Sequence, residues 1–191
     1  MRRALLAIPL LALAACSPAA STDMPPEVAE RFDQLETALA GWEDAASIEE
    51  AHANAEAARN LITGVDGPLY GDGDGDGEIA GSSPVGLLPG YGGEPGLVHD
   101  PAVNPCVEAD VLGGSWETPA ERWDQVTAAI DAWEVTANTF PSLESHPQRI
   151  VGWATLTLAS DSLDTALEYA GHARLHLDAS TYAYDSCVLG A

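Results

Sequence analysis

The sequence predicts an all-α fold, a four-helix antiparallel bundle with a long Gly/Asp-rich insertion between its second and third helices. Two observations carry this. Four segments repeat apolar residues every three or four positions, the seam that bundle helices bury against neighbours. Residues 64–96 hold 12 of the chain's 18 glycines together with Pro68, Pro84, Pro89 and Pro95, so no regular element can run through them.

The first helix is read from Val28, Phe32, Leu35, Leu39 and Trp42. The second follows Ile48, Ala51, Ala55, Ala58 and Ile62; Ser47 with Glu50 forms a capping box at its start, and Gly64 stops it. The insertion spans residues 64–118, with a short helix expected over Val103–Leu112. The third helix begins at Thr118, capped with Glu121 and with Pro119 in the first turn. Its seam runs through Trp123, Val126, Ile130, Trp133, Ala137 and Phe140, and Pro141 ends it. Ser145 with Gln148 is a similar capping pair. The fourth helix follows Leu156, Ala159, Leu163, Ala166, Ala170, Ala173 and Leu177.

Inside the insertion lies Asp72-Gly73-Asp74-Gly75-Asp76-Gly77-Glu78-Ile79. Carboxylates at positions 1, 3 and 5 with glycine at 6 resemble the front half of the calcium loop of EF-hands and dockerins. The resemblance covers about a dozen residues. It implies calcium held by the side chains of Asp72, Asp74 and Asp76 and the carbonyl of Glu78, with Ile79 as the apolar anchor. The pattern breaks at position 12, where Ser83 replaces the bidentate Glu, and no helix can enter the loop through Gly64, Gly67, Pro68 and Gly71. The missing ligand is left to Glu94, Asp66, Asp100, the Ser83 hydroxyl or water. Four carboxylates within seven residues repel unless a cation or protons sit among them, which favours an ion over a flexible linker.

The N-terminus carries a second resemblance. Met1-Arg2-Arg3 precedes an apolar run, Ala4–Ala14, too short to span a bilayer. Leu13-Ala14-Ala15-Cys16 then resembles the lipobox of bacterial lipoproteins, which implies removal of residues 1–15 and diacylation of Cys16. Residues 16–26 read as a tether and 27–191 as the helical domain. Lipid anchoring in the cell envelope follows, at an outer membrane or cell surface, with the membrane reached through the lipid only. In an exported chain the remaining pair, Cys106 and Cys187, is expected to form a disulfide. It would close a loop of about 80 residues and stabilise by about 2–4 kcal/mol.

The formal charge is −23, and the chain contains no lysine. Loss of Arg2 and Arg3 with the leader would make it −25. This excludes nucleic acid as a partner and removes P-loop and Schiff-base chemistry. No Gly-x-Ser-x-Gly or His-Glu-x-x-His motif is present, and Ser82-Ser83-Pro84 is turn chemistry, so a non-catalytic structural or adaptor role is expected. The alternative is a bundle that handles metal or haem through His52, His172 or His176. His172 and His176 stand four apart, on the side of the fourth helix opposite its seam, and are expected to face solvent.

Overall fold

The computed structural model describes residues 25–99, 105–135, 139–140 and 142–188, except for the side chains of residues 99, 105, 106 and 184–188. The leader, Cys16, Asp100 and the sulfurs of Cys106 and Cys187 lie outside the described residues. The fold is all-α. Its helices are α1 (Pro26–Glu43), α2 (Ile48–Thr63), α3 (Pro105–Leu112), α4 (Pro119–Asp131), α5 (His146–Leu158) and α6 (Leu163–Val188), with a 3₁₀ turn at Leu97–His99.

The first two helices stand where the seams put them. Val28, Leu35, Leu39 and Trp42 of α1 are buried, as are Ala51, Ala55, Ala58 and Ile62 of α2. Ser47 Oγ accepts the Glu50 N–H at 3.3 Å, and Glu50 reaches back to the Ala46 N–H at 2.8 Å. Gly64 closes α2 at φ 66°, where an added Cβ would collide with the backbone of Gly86.

The short helix expected within the insertion is α3, but the later helices differ from expectation, and the described residues form six helices rather than four and that short one. The third expected helix stops at Asp131, nine residues before Phe140. Residues 135–139 (Val-Thr-Ala-Asn-Thr) are mostly poor helix formers, which offsets the apparent rhythm. Trp133 and Phe140 still meet, centroids 6.2 Å apart. At the start of α4 the Thr118 hydroxyl donates to the Glu121 carboxylate at 3.0 Å instead of capping the backbone.

The fourth expected helix is two. Ser145 Oγ accepts the Gln148 N–H at 3.2 Å and starts α5 there. The chain breaks at Ser160-Asp161-Ser162, where Ser162 Oγ accepts the Thr165 N–H at 3.3 Å and begins α6. Local caps thus win over a periodicity that happens to run on through the break.

The packing partners are α1, α2, α5 and α6, with α3 against α5 and α6. Among the described elements α4 touches α5 alone. It also covers the insertion: Trp123 Nε1 donates to the Pro89 carbonyl at 2.8 Å, and Tyr91 donates to Asp124 at 3.1 Å. No described helix is long and apolar enough to cross a membrane.

Candidate metal centre

The second helix is buried on two faces. Its alanine seam meets the other helices. About 120° around it, at 100° per residue, runs a polar stripe of Glu56, Arg59, Asn60 and Thr63. All four are buried, Glu56 to 1% exposure. The insertion lies on this stripe. Asn60 donates to the carbonyls of Gly71 (3.2 Å) and Ala80 (2.8 Å) and accepts the Gly71 N–H at 3.0 Å. Farther along, Leu88 N–H donates to the Ile62 carbonyl at 3.0 Å, and Leu87, Leu88 and Val98 are fully buried. The long loop is therefore ordered by protein contacts.

Glu56 anchors the acidic run from below. One carboxylate oxygen accepts the N–H groups of Gly73 and Asp74, and the other accepts Ala80 N–H at 2.7 Å. Above it the aspartates fold the loop on themselves. Asp72 accepts the N–H groups of Gly75 (2.7 Å) and Gly77 (3.0 Å). Asp74 accepts that of Asp76 at 3.1 Å, and Asp76 that of Glu78 at 2.7 Å; each is an Asx turn. Gly77, the expected turn position, has φ 93°. A Cβ at Gly73 would displace the Arg59 guanidinium.

Ligand oxygens of Glu56, Asp72 and Asp74 all lie within 4.8 Å of one another. This is the acidic cluster able to hold a metal ion among the described residues. Glu56 comes from the helix below, 16 positions before Asp72, and places a third carboxylate beside the two aspartates. The carboxylates of Asp76 and Glu78 stand outside the cluster, and both residues are exposed. Ser83 is elsewhere: its hydroxyl accepts from Arg31 Nη2 at 2.6 Å and donates to the Val85 carbonyl at 2.8 Å. A hydroxyl held by a guanidinium is a poor site for a cation. Asp66 and Glu94 bracket a separate turn, where Tyr91 N–H donates to the Asp66 carbonyl at 2.8 Å.

The cluster's nearest cation is Arg59. Burial pushes its guanidinium below the ordinary arginine range, while Glu56 and Asp74 pull the other way. One terminal nitrogen donates to the Gly71 carbonyl at 3.4 Å. Arg59 thus balances part of the acidic charge from the side, without an ion pair to any of the three carboxylates.

His52 stands apart from the histidines of α5 and α6. His52 Nε2 donates to the Ser160 carbonyl at 2.9 Å and ties α2 to the α5–α6 turn. The expectation that His172 and His176 face solvent is not met, because α6 packs along α5. His172 stacks on Trp153 with centroids 4.5 Å apart, and His176 Nδ1 faces His146 Nδ1 at 3.1 Å. His146 in turn approaches Asp110 at 3.7 Å.

Burial, aided by His146, Arg149 and His172, lowers His176 to about 4. Unfolded, it would titrate near 6.5. The unfolded chain then binds the extra proton between those values, so this contribution is complete above pH 6.5 and is lost as pH falls toward 4. His176→Phe should flatten the decline in melting temperature between pH 6.5 and 5. An unchanged slope would show that His176 carries none of it.

No protein-family model, no curated protein and no solved structure matches this chain.

Proposed function

We propose that the chain is a calcium-binding, lipid-anchored exported protein with a non-catalytic structural or adaptor role, and that calcium pins its long insertion to the helical core. The observation that carries this reading is the meeting of Glu56, Asp72 and Asp74 within 4.8 Å. Calcium takes six to eight oxygens at about 2.3–2.6 Å, and a loop of carboxylates, carbonyls and water suits it better than the rigid octahedron of magnesium. The EF-like spacing of Asp72, Asp74 and Asp76 and the lipobox before Cys16 supply the rest of the proposal.

With three carboxylates at the centre, the dissociation constant should fall in the extracellular range, about 10⁻⁴ to 10⁻³ M. At about 1 mM free calcium and a constant near 10⁻⁴ M, the native state gains about 1.4 kcal/mol. Thermal melts with calcium and with chelator should differ by a few degrees. Asp74→Ala should remove that difference while helical content stays intact, because its side chain is bonded within the loop alone. A shift that survives the substitution would place calcium elsewhere.

Anchoring has its own test. Expressed in a bacterium, the protein should partition with membranes and become soluble as Cys16→Ala. Wild-type protein found free in the medium would remove the anchor from the account.

A further inference from the structure

A cavity of about 490 Å³ opens between α5, α6 and residues 139–140. Phe140, Trp153 and Leu175 give it apolar and aromatic walls; Arg149, His172 and His176 contribute its polar atoms. No carboxylate is among its described lining residues, in a chain with 30 Asp and Glu against 7 Arg. The volume lies within the usual range of ligand pockets, about 300–1,000 Å³.

The arginine is the informative group. Each of the other described arginines spends terminal nitrogens on protein acceptors. Arg31 binds the Leu61 and Val85 carbonyls and Ser83; Arg59 binds Gly71. Arg122 pairs with Glu144 at 3.2 Å, and Arg174 with Glu36 and Glu43. Arg149 is held by its Nε alone, which donates to the Leu143 carbonyl at 2.9 Å. Its two terminal nitrogens have no protein acceptor among the described residues. A guanidinium fixed at its base, with the fork unspent beside an apolar cavity, is suited to grip a carboxylate by two parallel bonds.

The walls define the rest of the ligand. Trp153 is buried to 1% exposure and stacks with His172 at an interplanar angle of 16°. Phe140 meets the Trp153 ring edge-on at 4.8 Å. Both rings are buried and back the cavity, so the half-buried His172 imidazole and the exposed Leu175 present its accessible faces, which suit a flat apolar body. The His176 Nδ1 is occupied by His146, which leaves Nε2 as the ring's other polar atom. With Arg149 as the arginine or lysine among the described lining residues, the site suits a monoanion over a phosphate or a dianion.

We propose that this cavity binds a small aromatic monocarboxylate, its carboxylate on Arg149 and its ring against Leu175 and the His172 imidazole, which Trp153 backs. The site is separate from the acidic loop and does not depend on calcium.

Calorimetric titration of the intact protein with benzoate and indole-3-carboxylate tests it, with benzamide and benzylamine as neutral and cationic probes. The carboxylates should bind with dissociation constants of about 0.1–1 mM, at least about tenfold tighter than benzamide, and benzylamine should not bind. Arg149→Met should bring benzoate level with benzamide. Leu175 is 64% exposed at the rim, so Leu175→Glu leaves the core intact and should abolish carboxylate binding by repulsion. Absence of carboxylate binding up to about 10 mM, equal binding of benzamide, or wild-type affinity in a folded variant would overturn the assignment.

Discussion

Glu56→Ala is expected to lower the melting temperature by about 10 °C and to abolish the response to calcium in the same step. The carboxylate is 1% exposed and accepts three backbone N–H groups from the insertion. Hydrogen bonds to a charged group are each worth about 1.5–3 kcal/mol, and their loss would strand donors at a partly buried surface. Local relaxation and entering water return part of this, leaving a cost of about 3–5 kcal/mol. For a domain of this size each kcal/mol moves the melting temperature by about 2–4 °C. The insertion should loosen first, so amides of residues 71–80 should exchange faster than those of α5 and α6. The melting temperature and an exchange map of the variant check both points. A variant that melts like wild type would mean that Glu56 does not hold the insertion down.

Trp42→Ala should cost a similar amount and leave calcium binding intact. Trp42 is fully buried on α1, and its Nε1 donates to the Ala166 carbonyl of α6 at 3.0 Å. Truncation removes the ring, opens a cavity and breaks the tie between the two helices, for a loss of about 3–5 kcal/mol. None of these contacts reaches the insertion. Measured where the variant is folded, its calcium-induced rise in melting temperature should equal that of wild type. The pair of variants thus separates helix packing from loop anchoring: one loses stability alone, the other stability and ion together.

Much of the helical frame was legible, and the reasons are local. The first two helices carry both a seam and end signals, and both stand in place. The third reads too long because Trp133 and Phe140 fit a helical spacing beyond Asp131, where α4 stops. The fourth was fused from two because Leu156, Ala159 and Leu163 keep the rhythm through a break that Ser160 and Ser162 mark by capping. Where a cap and a periodicity disagreed, the cap decided.

The candidate site was half legible. Asp72 and Asp74 meet as the loop spacing suggested, and Gly77 makes the turn. The Asp76 carboxylate does not join them, and the Ser83 hydroxyl serves Arg31 instead. Glu56 was missed because polar residues at helical spacing are ordinarily read as a solvated face. The signal was present: Glu56, Arg59, Asn60 and Thr63 follow the same i, i+3, i+4, i+7 pattern as an apolar stripe, beside a loop too rich in glycine to cover an apolar one. The histidines illustrate the opposite error. Angle alone placed His172 and His176 outward, but α5, unrecognised as a separate helix, supplies the Trp153 and His146 that cover them.

The central claim is that Glu56, Asp72 and Asp74 hold one calcium ion. Its most direct test is calorimetric titration of calcium into the chelator-treated wild-type protein and into Glu56→Gln, which keeps the size of the side chain and removes its charge. The account predicts one site per chain with a dissociation constant of about 10⁻⁴ to 10⁻³ M for wild type, weakened at least tenfold in the variant. No binding heat in the wild type up to about 10 mM calcium, or equal affinity in the two proteins, would contradict it.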